Sequence, residues 1–248
     1  MGFSSRVFRV VAFCALTLSA VAAGPVPEPD KDGQLPMLLQ EARELLTAKD
    51  PEAAIKKCDA VIGRYAAHYK PDGEQKFYCA RSESEVLFYL LKKAGEADRG
   101  DAKPGKQSVA RVLSSTWADA YFTRAYALIE LRRVADAKTA LQRALELSPA
   151  NARYLSELGM VYQVEKNWAE SSKQYQAAIE NAGVSPKESQ ASELARARRG
   201  LAYNFVELGK LDEAERIYLQ CLATDPNDHR AENELKYVRV VKAKMSKE

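Results

Sequence analysis

The chain has 248 residues, of which 46% are hydrophobic and 29% charged, with 37 basic against 34 acidic side chains. That apolar content supports a buried core and excludes a chain disordered throughout. A formal net charge of +3 excludes the strongly basic balance of a nucleic-acid-binding domain. Ala, Leu, Glu, Lys and Arg dominate and β-branched runs are scarce, a composition that favours helix.

Residues 1–22 have the layout of a secretory signal peptide. Arg6 and Arg9 precede an apolar run from Val10 to Ala20, and Ala20-Val21-Ala22 offers a small-residue cleavage site. An uncleaved anchor is the alternative, but the run is shorter than the about 20 residues a span needs. Phe13 before Cys14 is not the small residue a lipoprotein signal requires, so Cys14 reads as apolar filler. Cleavage removes Arg6 and Arg9 and leaves 35 basic residues against 34 acidic. That balance suits a protein partner or a small ligand, in a periplasmic or secreted chain with no transmembrane span after cleavage. Residues 23–34, with the stretch "GPVPEPDKDG", have little to bury and read as a flexible leader.

Helical periodicity then runs nearly to the C-terminus. Over 35–112 it is degenerate. "PMLLQEARELLTAKDPEAAIKKCDAVI" places Leu38, Ala42, Leu45, Ala54, Cys58 and Val61 at helix-pair spacing. A helix is expected from about Gln75 to Ala94, carrying Phe77, Tyr78, Val86, Leu87, Leu90 and Leu91, with "KQSVARVLSS" as its partner. Glu83 and Glu85 in "SESE" are expected on a solvated face. Polar stretches at 94–106 and 182–190 read as loops.

From 118 onward a unit repeats. Ala125 and Gly159, Leu128 and Tyr162, Leu141 and Tyr175, and Ala144 and Ala178 are each 34 residues apart. The units are 118–151, 152–185 and 195–228, and 229–248 reads as a terminal helix. Small residues let two antiparallel helices approach, Ala125 facing Ala137 and Ala202 facing Ala214, while Leu128, Tyr162, Phe205 and Tyr218 fill the space beside them. Lys236 stands where the small residue stands in the other units. It ends the stack, with Leu235, Val238 and Val241 inward.

A 34-residue period with two helices per unit resembles the tetratricopeptide repeat family. The resemblance covers roughly 35–228. It implies an all-α, right-handed superhelical solenoid of antiparallel helix pairs with a C-terminal capping helix, whose first helices line a concave, partner-binding surface. Carried over position by position, that surface presents Phe122, Tyr126 and Ile129, then Arg153 and Met160, then Arg196, Arg199 and Tyr203. Phe122 and Tyr126 stand where the carboxylate clamp of chaperone-binding members needs lysine and asparagine, so that ligand mode is not expected. The expected partner is a protein or peptide, not nucleic acid. The expected role is a cell-envelope scaffold or adaptor. The alternative is a permanent structural subunit of an outer-membrane or secretion assembly complex.

Nothing in the chain reads as an enzyme, a metal site or a cofactor site. His68 and His229 lack a second ligand at metal spacing. No nucleophile-elbow, P-loop, zincin or dinucleotide fingerprint appears. Cys58, Cys79 and Cys221 follow the expected cleavage site. Cys221 fills the slot of Ala144 and Ala178. Successive helices of such a stack touch, so a Cys58–Cys79 disulfide and unbridged thiols are both open.

Overall fold

The computed structural model describes residues 29–30, 33–69, 75–98 and 109–245. The expected signal peptide and most of the leader lie outside the described residues.

The first helix pair is α1 (Gln34–Thr47) and α2 (Pro51–His68). Asp30 serves the N-terminus of α1, accepting from the N–H groups of Gln34 and Leu35 at 2.7 and 2.9 Å. Asp50 caps α2 by accepting from Ala53 N–H at 3.1 Å, with Pro51 at a position where its missing N–H costs nothing. Leu35, Leu39 and Ala42 of α1 are buried, as are Ala54, Cys58, Val61 and Tyr65 of α2.

The next segment departs from expectation. Gln75–Ala80 is a strand, β1, not the start of a helix. It pairs in parallel with β2 (Val109–Ser114), from Gln75 opposite Val109 to Ala80 opposite Ser114. The helix between them, α3, spans Glu83–Asp98. Two local causes favour this β–α–β unit. Phe77, Tyr78, Val109 and Val112 are residue types that fit a pleated surface, and Ser82 Oγ accepts from Glu85 N–H at 3.3 Å, which starts a helix at that point. The expected solvated face at "SESE" is half wrong. Glu83 is exposed, whereas Glu85 is fully buried.

Three more helix pairs follow: α4 (Thr116–Glu130) with α5 (Val134–Leu147), α6 (Ala152–Val164) with α7 (Trp168–Asn181), and α8 (Gln190–Glu207) with α9 (Leu211–Thr224). A 3₁₀ turn at Ala182–Val184 precedes α8, and α10 (His229–Met245) closes the stack. The first pair joins it directly, because α2 packs on α4. All four pairs share one turn. Lys49, Arg132, Lys166 and Gly209 each sit just past the first helix with φ of 64°, 59°, 55° and 71°. Only Gly209 takes this left-handed conformation without steric cost.

The spacer residues Ala125, Ala137, Ala202 and Ala214 are fully buried. One core cluster runs through α1, α2, α4, α5 and α6, and a second through α6 to α10. In the second, the ring of Tyr175 is held between two bare helix backbones. A Cβ on Gly159 would lie 3.0 Å from that ring, and one on Gly200 only 2.2 Å away. In α10, Leu235 and Val238 are buried and Val241 packs beside them.

No disulfide joins Cys58 to Cys79. Cys58 packs against Ala42, Ala54 and Ala127, while Cys79 lies on β1 in a different cluster. The bridge required Cys79 on a helix touching α2, and the strand takes it elsewhere. Cys221 is buried beside Ala214 and Tyr218, in its expected filler role.

Candidate functional site

The first helices of three successive pairs, α4, α6 and α8, meet at one carboxylate. Glu157 of α6 has no solvent exposure. Its Oε1 accepts from the Tyr126 hydroxyl of α4 and pairs with the Arg196 guanidinium of α8. Its Oε2 has no hydrogen-bond partner among the described residues. Burial and the Glu157 charge push the Tyr126 phenol up to about 12. Burial disfavours the charged Arg196, but Glu157 and Tyr126 outweigh it and hold the guanidinium above its ordinary value. The arrangement is a charge-assisted tie across three repeats.

The expected partner-binding residues divide into floor and surface. Phe122 is 2% exposed. Its ring stacks on Tyr154 at 4.7 Å between centroids and meets the edge of Tyr126 at 5.0 Å. The exposed Arg153 guanidinium lies 4.3 Å above the Phe122 ring centroid, a cation–π contact that covers it. Phe122 is therefore floor, and Arg153 is the surface above it. Tyr126, Ile129, Met160, Arg196 and Arg199 are half-buried, and Tyr203 is exposed with its ring near Trp168.

Beneath this face lies a polar network. Gln163 Nε2 donates to Asn204 Oδ1 at 2.7 Å and to the Gly200 carbonyl at 3.1 Å. Asn204 Nδ2 donates to Ser171 Oγ at 2.8 Å, and Ser171 Oγ donates to the Gly159 carbonyl at 2.8 Å. The Tyr175 hydroxyl donates to Gln163 Oε1 at 3.1 Å. These bonds fix α8 against α6 and α7 without using the surface side chains.

At one end of the face, Arg153, Arg196 and Arg199 share a cavity of about 640 Å³ with Arg81, Arg230 and Glu193. Arg81, between β1 and α3, bonds Glu85 Oε1 through Nε and Nη2 at 2.9 and 2.7 Å, and Glu193 Oε1 of α8 through Nη1 at 2.6 Å. Ser185 Oγ donates to Glu193 Oε2 at 2.6 Å. The β–α–β unit is thus fastened to α8 across 112 residues of chain. Arg199 pairs with the nearly buried Asp228, which also accepts from Ala231 N–H at the start of α10.

Of the expected residues, Tyr126 and Arg196 meet at Glu157, and Arg153, Arg196 and Arg199 line one cavity, while Glu157, Arg81, Glu193 and Arg230 are not among those expected there. One signal marks Glu157. It stands 34 residues after Thr123, itself buried, so a carboxylate occupies an inward slot. Arg81 carries no such signal, because it depends on the β–α–β unit.

Among the described residues no helix is long and apolar enough to cross a membrane. Tetratricopeptide repeat models match residues 118–151 and 150–227. Comparison with curated proteins gives no match. Among solved structures, MamA from residue 41 to its end, of Desulfovibrio magneticus RS-1, is 15% identical, with a TM-score of 0.52 over 85% of this chain and 86% of that one. The first TPR of Spaghetti (RPAP3) bound to HSP90 peptide SRMEEVD is 19% identical, with a TM-score of 0.46 over 53% of this chain and 97% of that one. A thermophilic TPR protein of Thermus thermophilus is 16% identical, with a TM-score of 0.43 over 83% of this chain and 99% of that one. The MamA likeness is one of fold.

Proposed function

We propose that this tetratricopeptide-repeat solenoid is a cell-envelope scaffold or adaptor that holds an extended protein segment against its first-helix face. Repeat proteins of this kind commonly mediate protein–protein interactions. The observation that carries the reading is the Tyr126–Glu157–Arg196 tie. It aligns α4, α6 and α8 into one preorganised face, so a ligand meets a surface already ordered, which lowers the cost of binding. That face carries the residue types that dominate interface energies, aromatics and arginine. Tyr126, Met160 and Tyr203 offer apolar contact, and Arg153 and Arg196 favour a segment with negative charge near its apolar anchors.

The cell-envelope assignment is supported by Arg6, Arg9, the short apolar run and the Ala20-Val21-Ala22 site. N-terminal sequencing of the native protein is expected to begin near Ala23 or Gly24, and an intact Met1 in the exported fraction would contradict export. One observation favours the second reading, a permanent subunit of a larger assembly. Tyr237 and Val240 of the closing helix are 56% and 54% exposed, more apolar surface than a plain polar cap presents.

Crosslinking in intact cells with mass spectrometry identifies the partner. The groove reading then expects Tyr203→Ala and Arg153→Glu each to weaken binding by about 1–3 kcal/mol, with salt reducing the effect of Arg153→Glu. Wild-type affinity in both variants, folded by circular dichroism, would sink it. A complex that survives high salt and ignores both substitutions would favour the permanent subunit.

A further inference from the structure

We propose that the arginine-lined cavity at the end of the first-helix face is a binding site for a compact dianion of the phosphoryl class. The inference deepens the groove reading, and rests on it only for what carries the anion. Five guanidiniums, from Arg81, Arg153, Arg196, Arg199 and Arg230, line one cavity of about 640 Å³. They come from four places in the chain: the β1–α3 junction, α6, α8 and α10. No local sequence feature gathers them, and no lysine is among them.

Their pairing shows which guanidiniums a ligand can reach. Arg81 is occupied by Glu85 and Glu193, Arg196 by Glu157, and Arg199 by Asp228. Arg153 and Arg230 have no carboxylate partner among the described residues, and both are exposed. Arg153 makes only its cation–π contact with Phe122. Five guanidiniums against four carboxylates leave the cluster net positive, and the two without a carboxylate partner are the ones open to an anionic ligand. Arg196 and Arg199 stand three residues apart on α8, hence on one helix face. Each sets one guanidinium nitrogen on its carboxylate. A guanidinium has five N–H donors, so both keep donors for a second acceptor.

The type of anion follows from the same inventory. A single carboxylate brings one charge into a cavity that already holds Glu193, with Glu85, Glu157 and Asp228 behind it. It offers two oxygens, which the fork of one arginine can already occupy. A phosphoryl group concentrates two charges on oxygens that the planar forks of several arginines can share. The hydroxyl-bearing Ser189 and Ser192 lie on the same wall. Ser189 precedes α8 without making a side-chain cap bond, so its hydroxyl is not committed to that helix end. The β–α–β unit and the closing helix, which supply Arg81 and Arg230, thereby become parts of the binding site.

Isothermal titration of the full chain with inorganic phosphate, in chloride buffer of matched ionic strength, reads the cavity without any protein partner. One saturable site is expected, with sulfate competing and acetate not. Arg153→Gln and Arg230→Gln, each removing an exposed arginine that bonds no carboxylate, should each weaken phosphate at least about tenfold, or about 1.4 kcal/mol. Leu219→Ala, on the exposed surface of α9, should leave phosphate affinity unchanged. A phosphoserine peptide that outcompetes inorganic phosphate places the dianion on a bound segment, and one that binds no better than the free anion places it in solution. The proposal is overturned if no saturable heat appears up to about 10 mM phosphate, if acetate competes equally, or if the Arg153→Gln/Arg230→Gln double variant, folded by circular dichroism, binds like wild type. A failure of the groove reading shows instead in the protein-partner measurements and leaves this titration untouched.

Discussion

Arg196 of α8 reaches across the first-helix face to pair with Glu157 of α6, a carboxylate that solvent does not touch. The same carboxylate oxygen accepts from the Tyr126 hydroxyl of α4. Three repeated units are therefore coupled at one atom. Arg196→Ala leaves Glu157 buried without a counter-charge, a defect that costs about 3–5 kcal/mol in fully buried pairs. The Arg196 side chain is 42% exposed, so solvent screens part of the pair and the expected loss is about 2 kcal/mol. Tyr126→Phe, which removes a hydrogen bond to a charged acceptor, should cost about 1.5–3 kcal/mol. In a Glu157→Gln background the Arg196→Ala cost should shrink below about 1 kcal/mol. Urea unfolding midpoints check all three, and an Arg196→Ala midpoint equal to wild type would show that the tie does not hold the repeats.

Two helical glycines should respond to alanine in opposite directions. Gly63 in α2 has nothing within 4 Å of where a Cβ would stand, so Gly63→Ala should stabilise by about 0.5–1 kcal/mol through helix propensity. At Gly200 the added Cβ would meet the Tyr175 ring at 2.2 Å. Overpacking of about 1–3 kcal/mol should exceed the propensity gain, and Tyr175→Leu in the same chain should relieve part of it. Thermal melts of the three variants test the signs. A stabilising Gly200→Ala would mean that α6, α7 and α8 pack less closely than described.

Arg81 holds the β–α–β unit to α8 by bonding both Glu85 and Glu193, whose side chains are 0% and 9% exposed. Arg81→Met would strand two carboxylates in a desolvated position. The expected cost is about 3–5 kcal/mol, with faster amide exchange in β1 and α3 than in α4 and α5. Uniform exchange across all four elements would contradict a local fastening role.

The thiols should behave as buried, unbridged groups. Reductant is expected to leave the melting temperature unchanged, since no disulfide joins Cys58 to Cys79. Burial, reinforced by neighbouring Asp59, pushes the Cys58 thiol up to about 12 from 9.0. The folded state therefore favours the neutral thiol. The stability this contributes is fully present below the ordinary thiol value and is lost as pH rises towards about 12. Alkylation of Cys58 at pH near 8 should accordingly track unfolding, and rapid labelling of the native protein would refute it.

Much of the stack is legible in the sequence because its determinants are local. Ala125, Ala137, Ala202 and Ala214 announce close helix approach at fixed spacing, and each is fully buried. The turn shared by Lys49, Arg132, Lys166 and Gly209 is hidden, because three of the four are not the glycine such a position favours. The β–α–β unit is hidden for another reason. Parallel pairing of Gln75–Ala80 with Val109–Ser114 depends on a partner some thirty residues away, while Phe77 and Tyr78 fit an apolar helical stripe equally well. The spacing of Ser82 and Glu85 is the one local clue that a helix starts there. The candidate site follows the same division. Counting along the repeat puts Tyr126, Arg153, Arg196 and Tyr203 on first helices, and they lie on α4, α6 and α8. Glu157 needs the third dimension to show that its charge is buried, and Arg81 and Arg230 enter only through the strand unit and the closing helix.

The groove itself is tested most directly by a photoactivatable side chain introduced singly at Met160, at Tyr203 and at Leu219 and irradiated in cells. Met160 and Tyr203 belong to first helices, whereas Leu219 is an exposed residue of α9, a second helix. One shared partner band is expected, crosslinked from Met160 and Tyr203 and absent from Leu219. A band from Leu219 alone would contradict it and move the interaction to the second-helix face.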